Sequence, residues 1–288
     1  MAIISGDILS DVVAELSRRK VKLYHACQLA DFKSYLQVGG IPSRNLLAGK
    51  ELPYTAFDTD GRDVDNGVWR LVFFNLSDFG GGFAKGGNNL PNIYGPILLC
   101  FDPKVLEHAN DISITLWSAG ASGFDRELNG VAAEDVPRLF VDFNSPRVRF
   151  KDGLCCEFDN PKAKSPEMNC SFDNELAVMD YLAYIRVDPY RSDTSYLPDV
   201  VREIITQNDP SCRVFERDCL DGHTSRYRIL WDAITRSASS GGDVLAVIRQ
   251  DPLMSAWADH VRSQSTLSFQ FGRYSKYLLN GTISECLS

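Results

Sequence analysis

Three short segments carry side chains able to do chemistry at strand positions: Tyr24-His25 early, Phe73-Phe74 in the middle, and Asn174-Glu175 late, where the glutamate opens an apolar run after a long polar stretch. A carboxylate can take a proton from a weak nucleophile or stabilise positive charge developing beside it, work that a lysine could not do. An imidazole hydrogen-bonds through its ring nitrogens, and an aromatic side chain packs against another ring. Each residue also has a plainer reading: His25 as a core histidine bonded to backbone, Phe74 as a core aromatic, Glu175 as a solvated strand end beside Arg186. The common catalytic signatures are missing, with no Walker loop, GxSxG elbow, HExxH or CxxC pair. The glycine-rich stretch at 80–87 can offer backbone N–H groups to a phosphate, but it lacks the Gly-Lys-Ser/Thr ending and does not clearly open a helix.

The elements that must position these residues follow from periodicity. Residues 7–19 place Ile8, Val12 and Leu16 at helical spacing, Lys22–Ala26 reads as a strand, and 29–38 as a helix stopped by Gly39-Gly40. Val68–Phe74 has the β-branched and aromatic content of a buried strand, as do Ile97–Phe101, Arg138–Phe143 and Arg147–Phe150. Pro103–Glu107 can open a short helix. Residues 151–174 lack periodicity and read as a long loop, after which Glu175–Met179 and Tyr184–Val187 read as strands. Helical patterns then dominate, at 200–205, 227–234, 244–249 and 253–262. The expected architecture is α+β, with residues 1–192 as a catalytic core and 193–288 as a helical extension packed on it.

The order of strand histidine, middle aromatic and late glutamate resembles the ADP-ribosyltransferase superfamily. More closely, Leu23-Tyr24-His25, a short helix and then Gly39-Gly-Ile-Pro-Ser-Arg44-Asn-Leu is similar to the N-terminal block of the DarT toxins, which modify nucleic-acid bases. The resemblance spans about residues 21 to 188. It implies a split mixed β-sheet core with flanking helices, NAD as co-substrate and no metal. Under it His25 hydrogen-bonds the NAD ribose, Phe74 packs against nicotinamide, and Glu175 engages the nicotinamide ribose and assists transfer. The middle aromatic, often tyrosine in such families, is phenylalanine here, so stacking is kept, any hydroxyl role is lost, and Asn75 can supply a polar group. Arg44 would bind the pyrophosphate, although a surface arginine after a turn explains it equally well. Breaking the bond to nicotinamide develops oxocarbenium character at the ribose, as in glycoside hydrolysis, which suits a nearby carboxylate.

In this superfamily the loop before the glutamate selects the acceptor. Here it spans roughly 144–174 and interleaves Arg147, Arg149, Lys151, Lys162 and Lys164 with Phe158, a pattern suited to single-stranded RNA or DNA. The formal charge of −8 and pI of about 5.1 do not mark a general nucleic-acid binder, so a local patch must do this work; a solvated strand face is the plainer reading.

Hydrophobic residues at 44% and charged residues at 24% are ordinary globular usage, which excludes disordered and fibrous classes. The N-terminus lacks the features of a secretory signal and no apolar run approaches the ~20 residues of a membrane span, so a cytoplasmic protein without membrane contact is expected. Eight dilute cysteines fit reduced thiols better than bridges or zinc.

These readings converge on a mono-ADP-ribosyltransferase toxin that modifies a base in single-stranded nucleic acid. By resemblance it would be restrained by a cognate antitoxin protein and serve antiviral defence. A transferase acting on a protein side chain or an RNA phosphate is the enzymatic alternative. A catalytically silent binding module of the same fold is the non-enzymatic one.

Overall fold

The computed structural model describes residues 3–56, 60–78, 95–116, 118–120, 123–148, 166–188 and 196–217. β1 (Ile3–Ser5) leads directly into α1 (Gly6–Arg18), whose Leu9, Val12, Val13 and Leu16 form one buried face, with Asp7 in the first turn and Arg18 in the last complementing the helix dipole. The helix stops because Lys20 turns left-handed, at φ 57°. Its N–H bonds Ser17 and that of buried Val21 bonds Leu16 O at 3.0 Å, the pairing of a Schellman cap.

β2 (Leu23–Cys27), α2 (Leu29–Val38), β3 (Gly40–Pro42), α3 (Arg44–Gly49) and α4 (Asp60–Asp65) follow. Gly39, at φ 79°, ends α2 as its position predicts. β4 (Val72–Asn75) and β5 (Ile97–Phe101) come next; every residue of β5 is buried, which accounts for its unbroken apolar run. A 3-10 turn over Pro103–His108 precedes β6 (Ala109–Thr115), and a second covers Ala133–Leu139. β7 (Glu167–Phe172), β8 (Leu176–Val178), β9 (Leu182–Val187), α5 (Leu197–Asn208) and β10 (Arg213–Glu216) complete the described elements.

The result is α+β: an eight-stranded sheet in the order β1-β6-β7-β4-β2-β5-β9-β10 and a separate antiparallel pair, β3-β8. β7 lies between β6 and β4, antiparallel to both, with Phe73 opposite Asn169, Phe74 opposite Met168 and Asn75 opposite Glu167. Strand alternation therefore gives the sheet two different faces. Val72, Phe74, Met168, Cys170, Ile112 and Ile114 form a buried apolar face, while Phe73, Asn75, Glu167, Asn169, Ser113 and Thr115 occupy the other.

Contacts divide the chain into two compact units. The first comprises Met1–Cys27, Asp31–Phe79 and Leu98–Ile185; the second comprises Gln28–Ala30, Gly80–Ile97 and Arg186–Ser288. In the second unit α5 buries Leu197, Pro198, Val201 and Ile205. β10 runs beside the end of β9 that belongs to the same unit, where Arg217 N–H bonds Val187 O at 2.8 Å and the Arg217 guanidinium meets buried Asp188 at 3.0 Å.

Several expected elements differ. The strand predicted from Val68 begins only at Val72, because Val68 turns away to pack with Ala119 and Phe124. Arg138–Phe143 is not a strand: a 3-10 turn containing Pro137 runs to Leu139, and Phe140 makes a single bridge to Val148. Asp142 then accepts from the amides of Asn144 and Ser145, reversing the chain before Arg147. The supposed loop over 151–174 contains β7, a strand inside the sheet. β10 falls where only helices were expected. The predicted helices at 227–234, 244–249 and 253–262, and the glycine-rich segment, lie outside the described residues.

Candidate active site

Glu175 sits in a tight turn between β7 and β8, and both it and Asn174 adopt left-handed backbone, at φ 57° and 55°. Each such residue costs roughly 1–3 kcal/mol and persists only where its surroundings over-determine it. They do so here. The Ser43 amide donates to Glu175 O at 2.8 Å, Met179 N–H donates to Gly39 O at 3.0 Å, and between these anchors β8 pairs with β3 in the register Pro42–Leu176, Ile41–Ala177, Gly40–Val178. Gly40 permits the approach, since a Cβ there would run into the Ala177 carbonyl.

The turn delivers the Glu175 carboxylate to the first residues of α3. Ser43 Oγ donates to Oε2 at 2.5 Å, Asn45 Nδ2 reaches Oε1 at 3.1 Å and Oε2 at 3.0 Å, and Arg70 Nε donates to Oε1 at 2.7 Å. Ser43 Oγ also accepts from Leu46 N–H at 3.0 Å, capping the helix. The Asn45 amide bonds Trp69 O at 3.2 Å, which ties the turn carrying Arg70 to the same point. Burial works against ionisation of Glu175, but the hydrogen bonds from Ser43, Arg70 and Asn45 and the Arg70 charge outweigh it, holding the carboxyl below its ordinary range. The Glu175 side chain keeps 17% of its exposure and that of Arg70 keeps 74%, so an ionised carboxylate lies under a largely exposed cation.

His25 lies in a second cluster. Its Nδ1 is 2.8 Å from Phe73 O, so that nitrogen carries the proton and donates; Nε2 then accepts from the Tyr35 hydroxyl at 3.1 Å. Burial, aided by the Arg44 charge and opposed by the Phe73 carbonyl and Asp31, pushes the imidazole down to about 4, so the ring is neutral at pH 7. The Tyr35 hydroxyl is pushed well above its ordinary value, by burial first and then by the Asp31 charge. Arg44 is not a surface residue: it is drawn inward to Asp31, at 3.6 Å, with its guanidinium 5.2 Å from the Tyr54 ring centroid. Asp31 also accepts from Thr55 N–H at 2.7 Å.

The structure thus brings His25 and Phe74 together, their rings edge-on with centroids 6.3 Å apart, and sets Arg44 in sequence between two of the three residues that hold Glu175. Phe74 is fully buried against Phe101, with no ring face open to a ligand, and both His25 nitrogens are engaged by protein groups. Asn75 is half-buried, opposite Tyr24 and Glu167 in the sheet. Arg147 is exposed, on a segment held to the end of α1 by Arg19 bonds to Asp142 O and Ser145 O. Arg149 and Lys151 lie outside the described residues.

Sequence reasoning passed over Ser43, Asn45, Arg70 and Tyr35. Ser43 and Asn45 flank the arginine that drew attention, and a serine before a helix is a capping signal in its own right. Arg70, whose partner is 105 residues away, offers no local signal. Among the described residues no group of three or more His, Cys, Asp or Glu side chains could hold a metal, Cys27, Cys100, Cys170 and Cys212 form no disulfide, and no helix is long and apolar enough to cross a membrane. As placed, His25 and Phe74 offer a ligand neither a free nitrogen nor a ring face, and both oxygens of Glu175 are engaged by Ser43, Asn45 and Arg70.

No protein-family model matches the sequence, and no curated protein does. Among solved structures the chain is similar to DarT of Thermus sp. 2.9 in complex with ADP-ribosylated ssDNA, at 13% identity and TM-score 0.43 over 68% of this chain and 94% of that one. The same protein in complex with NAD+ matches at 14% identity and TM-score 0.40, over 68% and 95%. DarTG of Thermosipho africanus in complex with ADP-ribose matches at 13% identity and TM-score 0.38, over 68% of this chain and 50% of that one.

Proposed function

We propose that the chain is an NAD-dependent mono-ADP-ribosyltransferase with Glu175 as its catalytic carboxylate, acting on a base in single-stranded RNA or DNA. The observation that carries this reading is the Glu175 turn: two consecutive left-handed residues, and four side-chain hydrogen bonds that keep one carboxylate ionised and oriented. Strain of this kind concentrates at functional sites. As the C1′–nitrogen bond to nicotinamide breaks, its electron pair leaves with nicotinamide and the ribose carbon becomes cationic; an ionised carboxylate beside it stabilises that charge. The acceptor amine then bonds to C1′ and passes its proton to solvent water. A carboxyl held below its ordinary range is a weak base, so charge stabilisation outranks proton abstraction in the contribution of Glu175.

For His25 to meet the ribose, Tyr35 must yield Nε2. Arg70, exposed and singly bonded to the carboxylate, is the group that must swing aside to admit the sugar; surface pairs of this kind are worth only about 0–1 kcal/mol. The nucleic-acid acceptor draws support from the segment before Arg147: Phe143 is 73% exposed, and the Arg18 guanidinium stacks 4.3 Å from its centroid. A ring and cations in one place suit an unstacked strand. The antitoxin partner rests on the sequence resemblance. A silent binding module is favoured by one specific observation, the engagement of both His25 nitrogens and the full burial of Phe74. Incubation with labelled NAD and, separately, single-stranded DNA, RNA and cell protein decides the matter. Label on nucleic acid supports the proposal, label on protein moves the acceptor, and NAD left intact favours the module.

A further inference from the structure

On the sheet face that carries Phe73 and Asn75, Glu167 of β7 reaches a short strap at residues 118–120. Its Oε1 accepts from Ala119 N–H at 2.8 Å. The Ala119 carbonyl accepts from Asn66 Nδ2 at 2.7 Å and the Gly120 carbonyl from Arg62 at 3.2 Å, so the strap is pinned between β7 and the end of α4. Ala119 is buried and packs with Val68 and Phe124, against which Leu71 and Phe73 also lie. Val68 is two residues from Arg70. Its amide bonds Asp63 O at 2.9 Å, and its carbonyl accepts from Leu71 N–H at 2.9 Å.

We infer that Glu167 is a positioning residue and a proton-operated latch: its carboxyl clamps Ala119, and through Ala119 and Val68 it fixes the turn that presents Arg70 to Glu175. The significance of that turn for catalysis rests on the function proposed above; the latch itself does not. Burial, together with the Asp63 charge, pushes the Glu167 carboxyl up to about 7, against the opposing bonds from Ala119 N–H and Ser118. Asp63, on α4, is pushed up to about 6 by burial and by Asp60, with Arg44 pulling the other way. The charged groups around the pair are thus Asp60 and Arg62 on α4 and Arg44 on α3. When Glu167 is neutral, nothing repels Asp63 across the strap. When it ionises, two carboxylates confront each other, and Asp63 is the residue whose carbonyl anchors Val68. Ionisation of Glu167 thus strengthens its bond from Ala119 N–H while setting it against Asp63, so the strap and the Arg70 turn change state as pH passes through about 7.

The test is NMR on the full chain without NAD, following the Ala119 amide and Arg70 Nε–H from about pH 5 to about pH 9, a range that brackets the carboxyl value. Both signals are expected to titrate together with a midpoint of about 7. In isosteric Glu167→Gln the midpoint disappears while Ala119 N–H keeps an acceptor. In Asp63→Asn it moves to lower pH by roughly one unit. A flat Ala119 signal, a titration that survives in Glu167→Gln, or an Ala119 titration that leaves Arg70 unmoved would overturn the latch. None of these signals depends on NAD cleavage, so failure of the transferase reading leaves this test intact, and failure of the latch leaves Glu175 chemistry open to its own assay.

Discussion

Ser43 grips Glu175 twice, its amide donating to the glutamate carbonyl at 2.8 Å and its hydroxyl to the carboxylate at 2.5 Å. One residue thereby fixes both the backbone of a left-handed turn and the side chain it presents, across 132 positions of sequence. The same hydroxyl caps α3, so the helix start and the carboxylate are set as a unit.

Ser43→Ala removes the cap and one of the bonds that hold Glu175 ionised. Stability is expected to fall by about 1–2 kcal/mol, a typical loss for a cap plus a hydrogen bond, read from urea unfolding. The Glu175 carboxyl, followed by carbon-13 NMR, should titrate at higher pH than in the parent. An unchanged titration would show that Ser43 does not tune the carboxylate.

Arg70→Gln separates orientation from stability. The arginine is exposed, so unfolding should change by less than about 1 kcal/mol, yet the Glu175 titration should move upward because both a charge and a hydrogen bond are lost. A large destabilisation would instead make Arg70 a structural residue.

Gly40→Ala places a methyl group against the Ala177 carbonyl. Overpacking of this kind costs about 1–3 kcal/mol, and here it forces β3 from β8, which carries the Glu175 turn. Thermal unfolding should show the loss, and the Glu175 carboxyl signal should shift with it; a neutral substitution would mean that the two strands separate without cost.

Two half-buried groups set opposing pH slopes. His25, held down at about 4, binds fewer protons in the folded chain than its ordinary 6.5 implies, so its contribution rises as pH climbs from about 4 to about 6.5. Glu167, raised from 4.5 to about 7, binds more, and its contribution declines across that interval. Glu167→Gln should therefore gain stability relative to the parent at pH 8 compared with pH 5, measured by urea unfolding at both; an equal difference at the two values would remove the shift on which the slope depends.

Where one period dominated, the fold was legible. α1, α2, β2, β5 and β9 fall close to their expected spans because their buried residues repeat at helical spacing, alternate or run unbroken. β6 and β7 escaped because their second face is polar and yet buried: Ser113, Thr115 and Asn169 lie beneath Arg126, which bonds Ser113 Oγ and Asn169 O at 2.9 Å each. Such a strand reads as a loop until its partner is known. Glu175 and the Ser-Arg-Asn triplet stand out in the sequence, but who holds whom does not. Arg44, the conspicuous residue, turns inward to Asp31, and its quieter neighbours take the carboxylate.

Release of nicotinamide by the parent and by Glu175→Gln, with single-stranded nucleic acid present, shows whether the Glu175 carboxylate drives cleavage of NAD. The amide keeps the size of the side chain and removes its charge, so release is expected from the parent and a fall of about 10²-fold or more in the variant, the scale on which a preorganised electrostatic group acts. Equal release by both proteins, or none by the parent with any acceptor, would contradict it.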